Sequence, residues 1–436
     1  MQVAVYTLGC KVNQFESWAM EQAFQRLGCT IAHWKEEADL YLVNTCTVTS
    51  KAAYQSRQMI RRLRRQCPDA KIIATGCHVQ TDASTIIESV GPGICLAGNE
   101  QKPHIAELAM QHQGCTGIYV SDIGQVNAIS DLFLHRPPSE RTRAYLRIQD
   151  GCNSFCSYCI VPYARGRSRS LKPEQVMKQM AIYSQAGIKE VVVTGIHVGL
   201  YGKDLPEKTD LFSLLQILCA RFPDIFFRLS SIEPTEISSD FIEWAAETRN
   251  FCPHFHIPLQ SGSDQVLEAM NRDYSGAFFR DLLHFIAETI PGCCIGTDVM
   301  TGFPTETDTD FANTVELIRH APISYVHAFP YSARPGTVAA AMERACPAKE
   351  AKKRAAFIRQ IGLEKKLAFF ETCLGTKMDV LVERYEPKTG LYKGHTPNYV
   401  PVSLDSVADL KNQKVKVEIT SISPEGVKGK LCQDAI

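Results

Sequence analysis

The sequence has no net charge, no long apolar run and no internal repeat or low-complexity tract. Lysine plus arginine and aspartate plus glutamate both number 47, so a polyanionic partner must be met by a local basic patch. No apolar stretch reaches the ~18 residues of a membrane-spanning helix, and the opening "MQVAVYTLGCK" turns polar too soon for a secretory signal. The expectation is a cytoplasmic, monomeric protein with no membrane partner. Cysteine is what the chain does not lack. There are 17 in 436 residues, and in a reducing compartment these are metal ligands, catalytic groups or buried thiols, not a disulfide framework.

The absence with most chemical content is a fourth cysteine. "GCNSFCSYC", residues 151–159, gathers Cys152, Cys156 and Cys159 and then stops. A structural zinc site has four protein ligands, and a fully thiolate-ligated iron–sulfur cluster needs one more. Three thiolates leave one coordination position open to something that is not protein. A zinc knuckle completed by a distant His or Cys is the alternative, but no C-x2-C partner pair exists.

Periodicity supplies the frame. "VAVYTLG" (3–9), "LYLVNT" (40–45), "KIIATG" (71–76) and "GICLAG" (93–98) read as short buried strands, with helices at 16–28, 55–66 and 102–113. Such alternation predicts a small parallel α/β domain over 1–118. A Pro pair and charge at 132–145 suggest a linker. A longer alternation follows, with strands expected at 144–150, 189–195, 225–231, 254–259, 294–300 and 324–330. Six units are too few for a closed eight-stranded barrel, so 138–370 is predicted to form a partial (β/α)6 barrel. A charged helix at 348–373 leads to short β-rich runs, predicted to close as a small β-barrel over 371–436. The class is α/β.

"GCNSFCSYC" follows the first barrel strand, where such folds place their chemistry. Three further cysteines, Cys10, Cys46 and Cys77, each lie just past a different expected strand of the N-terminal sheet. Those strand ends share one edge, so the three can converge. Buried free thiols are the alternative. Cys29, Cys67, Cys95, Cys115, Cys219, Cys252, Cys293, Cys294, Cys346, Cys373 and Cys432 show no comparable placement and are read as free thiols.

The stretches "TLGCKVNQFES", "VNTCTVTSKA", "TGC", the C-x3-C-x2-C loop with "IVPYARGRSRS", and "HIPLQSGSDQVLEAMNR" together resemble the methylthiotransferase family of radical S-adenosylmethionine (SAM) enzymes, over essentially the whole chain. The resemblance implies an N-terminal cluster-binding domain, a radical SAM partial barrel and a C-terminal RNA-binding TRAM domain. It implies that Cys152, Cys156 and Cys159 hold a [4Fe–4S] cluster whose open iron chelates SAM and reduces it to a 5′-deoxyadenosyl radical. A second [4Fe–4S] cluster on Cys10, Cys46 and Cys77 would supply or carry sulfur, methylated by a second SAM. "GCKVNQFES" resembles the MtaB group, which methylthiolates C2 of N6-threonylcarbamoyladenosine (t6A) at tRNA position 37. The alternatives within the family are the group acting on isopentenyladenosine tRNA and the group acting on a ribosomal-protein aspartate; the stretch resembles neither, and that of the latter group reads like "GCPKN". An electron donor such as flavodoxin or ferredoxin is implied. "TGFPTET" departs from the family's usual pattern at Thr305, where Gly is common. A rival from another class is a non-enzymatic RNA-binding protein with two structural metal sites.

An unactivated C2–H gives acid–base groups nothing to do, so no catalytic side chain is assigned. SAM is expected across the strand ends, against Gly195, Ser231, Glu233, Gln260, Ser261 and Asp298, each also readable as a turn former; His256 reads as a packed barrel residue. Arg57, Arg61, Arg64 and Arg65 fall near one helical face, and Arg165, Arg167 and Arg169 follow the cysteine loop. These arginines are candidates for tRNA phosphates, and one of the latter three for the threonylcarbamoyl carboxylate; a solvated helix and an ordinary basic loop are the alternatives. Residues 373–436 hold nine Lys/Arg and eight Asp/Glu, so an RNA face there must be a local patch.

Overall fold

A computed structural model describes residues 1–111, 117–138 and 142–432. Cys115 and part of the expected linker, 139–141, lie outside the described residues. The N-terminal sheet is parallel, with β1 (Gln2–Thr7), β2 (Thr30–Ala32), β3 (Leu40–Thr45), β4 (Lys71–Gly76), β5 (Cys95–Ala97) and β6 (Gly117–Tyr119) in the order β2-β1-β3-β4-β5-β6. Strand β3 is buried along its whole length, as a central strand covered on both faces must be. Four helices flank it: α1 (Lys11–Arg26), α2 (Ser50–Gln66), α3 (Cys77–Val90) and α4 (Ile105–Gln111). Three of these elements were not expected. β2 and β6 are three-residue edges, and α3 is a polar helix kinked at Asp82, whose kink blurs its period.

The six expected barrel strands are present. β7 (Arg143–Arg147) is followed by a short antiparallel pair, β8 (Gln149–Asp150) and β9 (Arg169–Ser170). Then come β10 (Glu190–Thr194), β11 (Phe226–Leu229), β12 (His254–His256), β13 (Cys294–Thr301) and β14 (Tyr325–Pro330). They form two parallel triplets, β11-β10-β7 and β12-β13-β14, which meet where Ile232 N–H donates to His256 O at 3.0 Å. β7 and β14 do not pair, so the barrel is partial. Helix α1 packs against β7; Trp18 stacks on Tyr145 at 5.2 Å, and Phe15 and Trp18 join the barrel's apolar core. The expected linker is strapped down: Leu132 and Leu134 are buried, and Gln22 of α1 bonds the backbone of His135 and Arg136 at 2.8 and 2.7 Å.

The long helix Ala348–Glu371 leads to five strands, β15 (Lys377–Glu386), β16 (Leu391–His395), β17 (Pro401–Leu404), β18 (Lys414–Ser423) and β19 (Gly426–Leu431). They close as β15-β16-β17-β19-β18, which leaves no free edge. Alternate residues of β18, Val415, Val417 and Ile419, fill its core. This small barrel is clamped to the partial barrel: Arg228 donates to Pro397 O at 2.8 Å, and Arg143 pairs with Glu383 at 3.2 Å. Among the described residues no helix is long and apolar enough to cross a membrane.

Between the N-terminal sheet and the partial barrel lies a buried ionic network. Glu16, 1 % exposed, is held by Arg165 and Lys102, with Arg147 3.6 Å away. Asp150 takes Arg165 at 3.4 Å, Arg169 at 3.7 Å and Arg147 at 3.9 Å. Burial opposes ionisation of Glu16, but Arg165, Lys102 and Arg147 outweigh it and hold the carboxyl well below the usual range. Removing one partner of such a buried set costs about 3–5 kcal/mol. Glu16→Gln is therefore expected to lower the thermal unfolding midpoint markedly, whereas Glu316→Gln on an exposed helix face should leave it near the wild-type value.

Candidate functional site

The cysteine loop leaves β8 and enters α5 (Val161–Arg165). Gly151 sits at φ +76°, where a Cβ would fall 2.0 Å from Arg167 O, so only glycine fits. Phe155 is held in the left-handed region at φ +44°. Its ring lies under the Arg167 guanidinium at 4.6 Å and against Tyr163 at 5.9 Å. Segment 269–272 fixes this strained shape: Asn271 Nδ2 donates to Ser154 O and Phe155 O at 3.0 and 3.3 Å, and Ser157 Oγ donates to Ala269 O at 2.7 Å. The thiols differ. Cys152 Sγ is 3.2 Å from His197 Nδ1, whose Nε2 meets Glu236 at 2.7 Å. Burial opposes its ionisation, yet the bonds from His197 and Ser154 lower its pKa. Burial pushes Cys159 up to about 12. Arg272 Nη1 approaches Cys156 Sγ at 3.5 Å and Glu233 Oε1 at 3.1 Å.

The second triplet stands at the C-terminal ends of three neighbouring strands. Cys10 caps α1 after β1, Cys46 follows β3, and Cys77 opens α3 directly after β4. Gly9 at φ +110° and Gly76 at φ +99° allow this crowding: a Cβ on Gly9 would meet Cys46 Sγ at 3.2 Å, and one on Gly76 would meet Thr45 O at 2.5 Å. Burial, then the neighbouring Cys77, pushes Cys46 up to about 11. Arg165 Nε donates to Cys77 Sγ at 3.2 Å, which ties this triplet to the ionic network.

Cys10 and the thiols of Cys152, Cys156 and Cys159 line one cavity of about 380 Å3, a volume that suits a nucleoside-sized ligand. Gly195, Ser231, Glu233, Gln260 and Asp298 line it too. Ser261 does not: it is fully buried, accepting from Ser263 N–H at 3.2 Å beside Thr314. Gly195 has a packing reason for its missing side chain, since a Cβ would stand 2.8 Å from Gln149 Oε1. Two polar atoms of the lining residues, Gln260 Oε1 and Ser230 Oγ, are buried with no partner among the described residues. Buried polar atoms are normally bonded, so a polar ligand such as SAM fits here. Larger concavities of about 810 and 940 Å3 occur elsewhere, one against helix Asp308–His320 and one beside Trp34, but neither brings cysteines together. Among the described residues no three Cys, His or carboxylate side chains close on a single metal ion. Thiols that each reach a different iron of a cluster stand further apart than four ligands around one zinc.

Residues 2–96 match the uncharacterized protein family UPF0004 and residues 146–318 the radical SAM superfamily. The chain is 38% identical over 426 residues to the threonylcarbamoyladenosine tRNA methylthiotransferase MtaB of Bacillus subtilis strain 168, covering 96% of this chain and 93% of that protein. The chain belongs to the radical SAM methylthiotransferase family. It is 32% identical to a tRNA-2-methylthio-N(6)-dimethylallyladenosine synthase of Pelotomaculum thermopropionicum, covering 95% of this chain and 94% of that one. In fold it is similar to the radical SAM methyltransferase TsrM of Kitasatospora setae, with a TM-score of 0.58 at 15% identity, over 78% of this chain and 77% of that one.

The arginines of this methylthiotransferase divide by what they touch. Arg165 and Arg169 are buried at 1 and 4 % exposure and engaged by Glu16 and Asp150. They are not at a tRNA-facing surface, because burying a guanidinium requires a charged partner. Arg167 is exposed. Arg57 meets His78 Nε2 at 3.0 Å. Arg61 donates to Ser89 O at 2.8 Å and Arg64 to Val90 O, capping the last turn of α3. Arg65 is exposed. Sequence reasoning passed over Asn13, Glu16, His197, Asn271 and Arg272, although all but His197 stand inside the stretches that carry the family resemblance. The capping role makes a prediction. Arg64→Ala should destabilise the end of α3 by about 1 kcal/mol and speed amide exchange at residues 86–90, while Arg65→Ala should leave both unchanged.

Proposed function

We propose that the chain is a tRNA methylthiotransferase that replaces the C2 hydrogen of N6-threonylcarbamoyladenosine, at tRNA position 37, by a methylthio group. Its cofactors are two [4Fe–4S] clusters and SAM. The observation that carries this reading is the single cavity lined both by Cys10 and by Cys152, Cys156 and Cys159 of the cysteine loop. The 38% identity to a threonylcarbamoyladenosine tRNA methylthiotransferase supports the choice of nucleoside.

The C2–H bond is unactivated, and the bound clusters and SAM supply the radical and sulfur chemistry it needs. The chain's own residues position and neutralise. Cys152, Cys156 and Cys159 would hold one cluster, and Cys10, Cys46 and Cys77 the other. Gln260, Ser231, Glu233 and Asp298 offer polar groups to SAM on the cavity wall. His197, fixed by Glu236, directs a ring nitrogen at Cys152, and Arg272 places positive charge beside Cys156. Arg165 does the same at Cys77. For tRNA, exposed Arg65 and Arg167 and the β19 lysines Lys428 and Lys430 are the phosphate contacts, the last two in a barrel that resembles TRAM. We assign the chain to the cytoplasm, as a monomer served by a flavodoxin- or ferredoxin-type reductant.

Nucleoside mass spectrometry of tRNA tests the reading: cells lacking the gene should lose the methylthio derivative of N6-threonylcarbamoyladenosine and accumulate its precursor. On the protein, anaerobic reconstitution should load about eight irons and eight sulfides. Replacing Cys152, Cys156 and Cys159 together by Ala should leave about four irons and no reductive SAM cleavage. The same change at Cys10, Cys46 and Cys77 should also leave about four, with SAM cleavage persisting and no methylthiolated nucleoside formed. A triple variant at 152, 156 and 159 that still cleaves SAM would refute the assignment.

A further inference from the structure

Each carboxylate at the cavity wall has a nitrogen of a basic side chain within 4.0 Å, whereas one cation there has no carboxylate so close. Glu233 takes Arg272 at 3.1 Å, Asp298 takes His256 at 3.3 Å, and Glu236 takes His197 at 2.7 Å. Deeper in the barrel, Arg228 is held by Glu190 at 2.8 Å and Arg143 by Glu383 at 3.2 Å. Lys11 remains. It is the first residue of α1, follows Cys10 directly, lines the cavity and is exposed there. Among the described residues no carboxylate lies within 4.0 Å of its ammonium, and Asp298 on the same wall attracts it only from beyond that distance. An ammonium on a concave wall is a ready partner for an anion that enters with the ligand.

We propose that Lys11 binds the carboxylate of the threonylcarbamoyl group and so selects this nucleoside over N6-substituted adenosines without a charge. The inference rests on the substrate reading above. The chemistry is complementary: the threonylcarbamoyl group ends in one carboxylate, a dimethylallyl group in none, and lysine offers three donors on a flexible stem. Placement adds a positional argument. In adenine, C2 and C6 flank N1, so an N6 substituent anchored at Lys11 keeps the C2 edge close to Cys10. SAM also carries a carboxylate, and the experiment separates the two.

Reconstituted full-length wild type, Lys11→Ala and Lys11→Arg are compared on one tRNA bearing N6-threonylcarbamoyladenosine and on the same tRNA bearing N6-dimethylallyladenosine. Losing a charge-assisted contact should raise KM for the first tRNA about tenfold or more in Lys11→Ala, with a smaller effect on kcat. Lys11→Arg should recover most of that loss, the second tRNA should show no matching rise, and iron content should equal wild type. An equal KM rise on both tRNAs would make Lys11 a phosphate contact and overturn the proposal. So would an unchanged KM on the first, a raised KM for SAM, or lost iron. Wild type that turns over only the dimethylallyl tRNA would instead overturn the substrate reading itself.

Discussion

Everything around the site depends on how Glu16 and Arg165 meet. Four cations, Arg147, Arg165, Arg169 and Lys102, surround only two carboxylates, Glu16 and Asp150, in a region almost closed to solvent. Such an excess is costly to bury unless other anions lie close. Arg165 carries that excess to the cysteine triplet, since its Nε donates to Cys77 Sγ. One guanidinium, bonded to both Glu16 and Cys77, joins the ionic network and the triplet in one electrostatic unit. Helix α1 threads the unit together. Cys10 caps it, Lys11 faces the cavity, Asn13 bonds Leu8 O and Thr45 O at 2.7 and 3.1 Å, Glu16 enters the network, and Phe15 and Trp18 reach the barrel core. A shift of this helix would move all of them at once.

The barrel side is built on strain. Phe155, Gln260 and Asn271, none of them glycine, all hold positive φ; Gln260 lines the cavity, Phe155 belongs to the cysteine loop beside it, and Asn271 holds that loop. Such conformations cost about 1–3 kcal/mol each and persist only where neighbours fix them. Here Asn271 holds the cysteine loop by two bonds, while Gln260 is anchored by its backbone to Asp298 O at 2.9 Å. The side-chain oxygen of Gln260 is left free for a ligand. Rigid backbone with an unspent acceptor is the arrangement a site needs before its ligand arrives.

The strands were legible in sequence because short apolar runs ending in glycine or cysteine mark the C-terminal ends of parallel strands. β3 and β4 begin and end where their residues suggested. Helix α3 was hidden, since it opens on a ligand-type cysteine, carries mostly polar residues and bends at Asp82. Burial of charge was illegible. "ARGRSRS" reads as a basic loop, but β9 and α5 turn Arg165 and Arg169 inward and leave Arg167 outside. Which arginine is spent on folding depends on contacts with residues up to 152 positions away, and no local pattern reports that.

The same accounting shapes how a neutral chain meets tRNA. Of the seven arginines first considered, Arg165 and Arg169 neutralise buried carboxylates, Arg61 and Arg64 cap α3, and Arg57 serves His78. With five of these seven arginines committed and no net charge on the chain, long-range steering is weak. Affinity must then come from short-range fit, with a few phosphate contacts fixing register and the cavity testing the nucleoside. Selectivity follows from the interior. A wall whose carboxylates each have a basic side chain close by offers one ammonium with no carboxylate within 4.0 Å, and an uncharged N6 substituent leaves that ammonium unanswered.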